Sequence, residues 1–522
     1  MGRTAYNATI RLHCFSFLCA LFVAVAAAAA DQIAAIQDLV AGGRLDEARS
    51  SLTRALAGRP NDAALWNLSG VVYAQQGDLQ HAETDFAKAA KLAPSMESAW
   101  LNLGRVYVMS PDRERATVKG VSAYERVLAI DPANPEAHHQ LALLLQWKGE
   151  FRESLAHLDR LPAEDQARRP AIALRCADEA ALGNTGEALK LAKTLLDDPS
   201  LETADVLSVL PPVSAHNDAV TIALLEGLEA RRLATTETTT MLAAAYEKHG
   251  DLAAARRTYE AAFQSSPKSA ELLTYLARVA WKQADYQGVL SYLAHARDLD
   301  PNNAGIHFVF ALACNELKLP IDARKSMEKA LELAPDNPYY NYAMGVLRTQ
   351  WQDKDGALPY LRKYVTMKPS DPRGHLALAN LYFNLYNLDD AKGELALPAT
   401  KPETRVGAEF LLGKIAAQQD DAEAAIRHFR NVLELDPKSA DAHAELGSVY
   451  LQKDEIEPAR KETELALAID PKDYTANRNL IRIYRQTDDP RLKEQTERVK
   501  SLVADRDAQS RELQRTIEVR PY

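Results

Sequence analysis

The stretch ALWNLSGVVYAQQGDLQHAETDFAKAAKLAP, residues 64–94, decides how the chain folds. Its apolar residues recur at intervals of three and four, Gly77-Asp78 break the pattern in the middle, and Pro94 stops it. Such a pattern reads as a helical hairpin: two amphipathic helices joined by a short turn, the second ended by a residue that lacks an N–H and restricts its predecessor. Working outward, the stop recurs. Pro60 and Pro94 stand thirty-four positions apart, as do neighbours in the series Pro267, Pro301, Pro335, Pro369 and the pair Pro437 and Pro471. Elsewhere the step slips: it is four longer from Pro94 to Pro132, four shorter from there to Pro162, and doubled from Pro369 to Pro437. A period of this size predicts one small unit stacked many times, since a single hairpin cannot bury its apolar side alone.

Two antiparallel helices approach closely only where a side chain is small. The phase therefore places Gly70, Gly104, Gly345, Gly413 and Gly447 at the crossing point of each first helix, and Ala82, Ala255, Ala323, Ala357, Ala425 and Ala459 on the second. Trp66, Gly70, Tyr73, Ala82, Phe86, Ala89 and Pro94 stand at the spacings of the tetratricopeptide signature, which the chain resembles from 31 to 474; Leu446, Gly447, Tyr450, Ala459, Ala466 and Pro471 repeat the pattern. The resemblance implies an all-α, right-handed α-solenoid of about thirteen hairpins, closed by a C-terminal capping helix.

Phasing divides the chain into a signal segment at 1–30, N-terminal repeats at 31–162, degenerate helical repeats at 163–234, regular repeats at 235–473, and a partial repeat with the capping helix at 474–522. In the degenerate part Pro211-Pro212 are expected to interrupt a helix. The four residues added near 110–119 are expected to form a projecting charged loop.

Arg3 and Arg11, the apolar run from Cys14 and Ala28-Ala29-Ala30 ahead of Asp31 predict a cleaved secretory signal, hence export, with a periplasmic location preferred. The alternative is an uncleaved N-terminal anchor; no other apolar run reaches spanning length. Without Arg3 and Arg11 the chain has 60 basic and 72 acidic residues, a formal charge of −12. That balance disfavours nucleic acid and anionic membrane surfaces as partners. Cys176 and Cys314, far apart in different repeats, read as small buried side chains.

No nucleotide loop, HExxH, CxxC or GxSxG occurs, so neither enzymatic activity nor a cofactor or metal is expected. His138-His139 point about 100° apart on a helix and cannot chelate together. His307, His375 and His443, each two periods from the next, share the position of Trp66 and Trp100, which interhelical packing explains.

The opposite face of each first helix, at about 100° per residue, is the candidate binding surface. It carries Arg278, Trp281 and Lys282, then Phe308, Tyr339 and Tyr342, then Asn380, Phe383, Asn384, Phe410 and Lys414. The resemblance implies a concave groove here that receives a protein or peptide partner. Family members that clamp a chaperone's terminal carboxylate use lysine at a position held here by Leu101, Phe308, Tyr342, Leu376 and Phe410, so that specificity is not expected. The reading is an exported protein-interaction scaffold; the alternative is an accessory module handling exported glycans.

Overall fold

The computed structural model describes residues 27–503 and 519–521. Most of the expected signal at 1–30, and the expected capping helix from residue 504 to 517, lie outside the described residues. Among the described residues thirteen helical hairpins run from Ala27–Ala41 with Leu45–Gly58 to Ala440–Gln452 with Ile456–Ile469, followed by Tyr474–Gln486 and the charged helix Leu492–Val503. No strand occurs among the described residues. The chain divides into two compact units, Met1–Pro267 and Lys268–Tyr522. In each, apolar clusters bridge successive hairpins. One cluster runs from Ile36 to Ala123, another from Ala173 to Leu242, and in the second unit two more run from Tyr342 to Ile415 and from Phe410 to Tyr484. Burial is thus shared between neighbours, the arrangement in which stability is a sum of local and nearest-neighbour terms.

The crossing points are where the phase put them. A β-carbon on Gly70 would stand 2.6 Å from the Phe86 ring, and one on Gly413 would stand 2.7 Å from Phe429, each sixteen residues on. Ala82, Ala255, Ala323, Ala357, Ala425 and Ala459 are fully buried.

The proline stops have a second use. Trp66 Nε1 donates to the carbonyl oxygen of Pro60 at 2.8 Å, and Trp100 does the same to Pro94 at 2.9 Å. His307 meets Pro301 at 2.9 Å, Asn341 donates to Pro335 at 2.9 Å, and His375 meets Pro369 at 3.0 Å. Each proline closes one hairpin and each partner lies on the first helix of the next. The residue position shared by Trp, His and Asn is therefore a clasp that needs a ring or amide N–H, as well as a packing position.

Turns follow the same ruler. From Gly250 (φ 93°) onward, Ala284, Lys318, Gln352, Tyr386, Asp420, Asp454 and Asp488 all have positive φ and succeed one another at the proline period. They end each first helix in the left-handed region, where glycine is the unstrained choice. Just after them Asp285, Asp353 and Asp421 cap the second helices through Gly288, Gly356 and Ala424 N–H groups.

Two expectations fail here. The insertion near 110–119 is not a loop: only 109–112 separate Glu97–Val108 from Arg113–Ile130, and the added residues lengthen that second helix to 18 residues, against 14 in Leu79–Leu92. Asp112 caps it through Arg115 N–H. Nor do Pro211-Pro212 interrupt the helix Thr203–His216, which passes through both. Val206, Val209, Leu210 and Val213 are buried in the cluster that also holds Leu224 and Leu228, so tertiary packing overrides the local cost of the prolines.

Cys176 and Cys314 are free and buried, and burial pushes their thiols up to about 12 and about 11. Among the described residues no helix is long and apolar enough to cross a membrane, and no group of three or more His, Cys, Asp or Glu could hold a metal ion.

Candidate functional site

In the second unit the first helices Ala270–Lys282, Ala304–Glu316, Pro338–Gln350, Pro372–Asn384 and Pro402–Gln418 carry every residue of the expected binding face. Tyr339, Asn380, Phe383, Asn384 and Lys414 are half-buried on it. Asn384 Nδ2 lies 3.5 Å from Asn380 Oδ1, and the Lys414 ammonium stands 5.3 Å from the centre of the Phe383 ring and 5.9 Å from that of Phe410. At such distances the ammonium is attracted to the ring faces. On the next first helix, half-buried Glu445 has its carboxyl raised above the usual carboxylate range by burial; Lys414 opposes that shift and Asp441 reinforces it.

Three residues of the expected face belong to the core instead. Phe308 is 4 % exposed, Tyr342 3 % and Phe410 1 %. Phe308 stacks on Tyr340 at 4.7 Å and meets Tyr339 edge-on at 5.6 Å; Phe410 meets Phe429 edge-on at 5.7 Å. Tyr342 lies 6.2 Å from Tyr339 and 5.0 Å from Tyr364, and burial drives its phenol far above its ordinary value. The reason is that a first helix packs on several sides. Ala304–Glu316 buries Ile306, His307, Phe308 and Val309 as well as Ala311, Leu312, Ala313 and Cys314, which leaves Phe310 only partly covered beneath Arg297. Tyr339 rests against Phe308 and Tyr342, and Phe383 packs against the cluster that holds Tyr342.

Arg278 and Trp281 are half-buried and Lys282 is exposed. Arg278 lies 4.8 Å over the Tyr275 ring of its own helix, and Trp281 meets Tyr286 of the paired helix edge-on at 5.1 Å. Both engage rings of their own hairpin.

One contact had no counterpart in the repeat pattern. Residues 519–521 lie against this face: Tyr339 Oη donates to the carbonyl oxygen of Arg520 at 2.5 Å and accepts from the Arg520 N–H at 3.1 Å. Val519 is half-buried and packs against the buried cluster that runs from Tyr342 to Ile415, as Tyr339 and Phe383 do. One hydroxyl thus bonds both backbone groups of one residue. The sequence near 519 lies outside the period, so no phase argument could have found it.

Models of the tetratricopeptide repeat match residues 33–97, 113–175, 236–279 and 416–481, spread through both units. The chain belongs to the tetratricopeptide repeat family. Within this repeat protein, one segment is 34 % identical to cellulose synthase operon protein C of Xanthomonas axonopodis pv. citri, covering 24 % of the chain and 9 % of that relative. Another is 28 % identical to the cytochrome c-type biogenesis protein CycH of Rhizobium meliloti, covering 23 % of the chain and 31 % of that relative. The repeat chain therefore spans less than a third of either relative's length. Among solved structures it is similar to a tetratricopeptide repeat protein from Parabacteroides merdae, at 19 % identity and a TM-score of 0.41, over 48 % of this chain and 98 % of that one.

Proposed function

We propose that this tetratricopeptide protein is an exported, non-enzymatic scaffold that holds an irregular segment of a partner polypeptide on the first-helix face around Tyr339, Asn380, Phe383, Asn384 and Lys414. The observation that carries the reading is the seat already filled there, with Tyr339 Oη bonded to both backbone groups of Arg520 and with Val519 packed against the same buried cluster as Tyr339 and Phe383. Rings with few rotors supply contact area, and amide and ammonium groups beside them supply hydrogen bonds to a peptide. Arg278, Trp281 and Lys282 extend the same face toward the start of the unit. Export rests on the segment at 1–30, and N-terminal sequencing of the mature protein is expected to begin at Asp31.

The test is cross-linking in the native compartment with wild type and with Tyr339→Ala combined with Phe383→Ala. Tyr342 is left intact because it is core. Loss of captured partners at unchanged helicity is the expected result; undiminished capture refutes this location.

The match to a relative named cellulose synthase operon protein C favours a second reading, an accessory module that handles exported glycan. Titration with short cellulose oligosaccharides separates the two: saturable binding abolished by Phe383→Ala supports the glycan reading, and absence of binding leaves the polypeptide reading alone.

A further inference from the structure

We infer that residues 519–521 are the built-in occupant of this face, so that a partner segment must displace the chain's own residues before it can bind. The inference rests on the peptide-binding reading above and adds its regulation. Arg520 reaches Tyr339 across 181 positions of sequence, and the contact uses both its N–H and its C=O. One residue having both its backbone groups bonded by a single side chain is a specific seat rather than a glancing touch. Val519 and Pro521 are half-buried while Arg520 is exposed, so the segment presents its neighbours and its backbone to the face.

The seat also defines what can replace the occupant. A competing segment needs an aliphatic side chain for the place of Val519, followed by a residue other than proline, because the Tyr339 hydroxyl accepts from an N–H there. Occupant and seat belong to one chain, so the internal contact acts at an effective concentration on the order of millimolar. A segment with an intrinsic Kd of about 0.1 mM would then weaken an external ligand about ten-fold.

The experiment uses the full chain and a fluorescein-labelled peptide of sequence TIEVRPY, residues 516–522. Anisotropy titrations compare wild type, the double variant Val519→Asp with Arg520→Pro, and that variant carrying Tyr339→Phe as well. The two tail positions lie outside the hairpins, and an unchanged thermal midpoint establishes that folding is intact. The double variant is expected to bind the peptide at least ten-fold more tightly than wild type, and Tyr339→Phe to reverse at least ten-fold of that gain. Equal, Tyr339-dependent binding by wild type and the double variant overturns the built-in occupant and leaves the face as a peptide site. No binding by the double variant overturns both. A concentration-dependent dimer formed by wild type and lost in the double variant shows the segment seated on a second copy, and overturns the intramolecular form.

Discussion

The side chain of Leu361 fills the place where a β-carbon on Gly345 would stand, with Cγ only 2.5 Å from that point. The two helices Pro338–Gln350 and Lys354–Met367 are in contact there because one of them has no side chain. Gly345→Leu is expected to lower stability by about 1 to 3 kcal/mol through overpacking, with Gly345→Ala losing less. Urea unfolding measures both, and an unchanged midpoint for the leucine variant contradicts the crossing.

The burial of Asp178 gives the chain a pH dependence whose sign can be worked out. Asp178 is fully buried, with Ser154 Oγ at 2.6 Å and Gln146 Nε2 donating at 2.8 Å, and burial pushes its carboxyl up to about 7 against the pull of those hydrogen bonds. An unfolded aspartate titrates near about 3.9. Between these values the folded chain keeps a proton that the unfolded chain has released, so this contribution to stability is present at low pH and is lost as pH rises toward 7. Asp178→Asn removes the titration. Its stability relative to wild type should be level near pH 4 and grow in its favour up to pH 8, by at most about 4 kcal/mol. His157, pushed down to about 4 mainly by burial and also by His138, works in the opposite sense in both proteins and cancels in the comparison. A constant difference from pH 4 to 8 refutes the protonated Asp178.

Lys318 (φ 59°) and Gln352 (φ 63°) are exposed at turns that favour glycine. Replacing either with glycine should raise stability by about 0.5 to 1 kcal/mol, since the left-handed conformation costs an L-residue more than the extra chain entropy of glycine. A lowered thermal midpoint in both variants counts against strain at these turns.

Trp66→Phe keeps an aromatic side chain, though a smaller one, and removes the indole N–H that donates to Pro60. A loss of about 0.5 to 1.5 kcal/mol is expected from the unmade bond. A double-mutant cycle against Phe86→Leu, which lies in the same hairpin but off the clasp, should show near-additivity. Strong coupling would mean that Trp66 acts through packing alone.

The stacked hairpins were legible because proline stops, small crossing residues and the constant step between them each appear directly in the sequence, and all fixed one phase. Hidden were features that need the neighbouring hairpin. The repeated Trp, His and Asn position reads as packing until the carbonyls of Pro60 and Pro301 are seen opposite it. The face of the first helices was legible only in part. A single-face rule sends Phe308, Tyr342 and Phe410 outward, whereas helices packed on several sides bury them. It does place Tyr339, Asn380, Phe383 and Lys414 in partly open positions. The seat of residues 519–521 involves no repeat at all, so nothing periodic could announce it.

The lengthened hairpin Glu97–Val108 with Arg113–Ile130 shows how such an array can change size. Gly104 still meets the Tyr124 ring, at 2.6 Å, although the spacing has grown from sixteen residues to twenty. Four residues advance a helix by about 400°, roughly 40° past one full revolution, and by about 6 Å along its axis. The surplus is therefore absorbed as translation, and the seam survives. Adding two residues would instead rotate the remainder by about 200° and turn its polar side into the seam. Growth of this molecule by insertion is quantised in revolutions, which makes the start of the 113–130 helix the place where foreign sequence could be spliced in four-residue instalments.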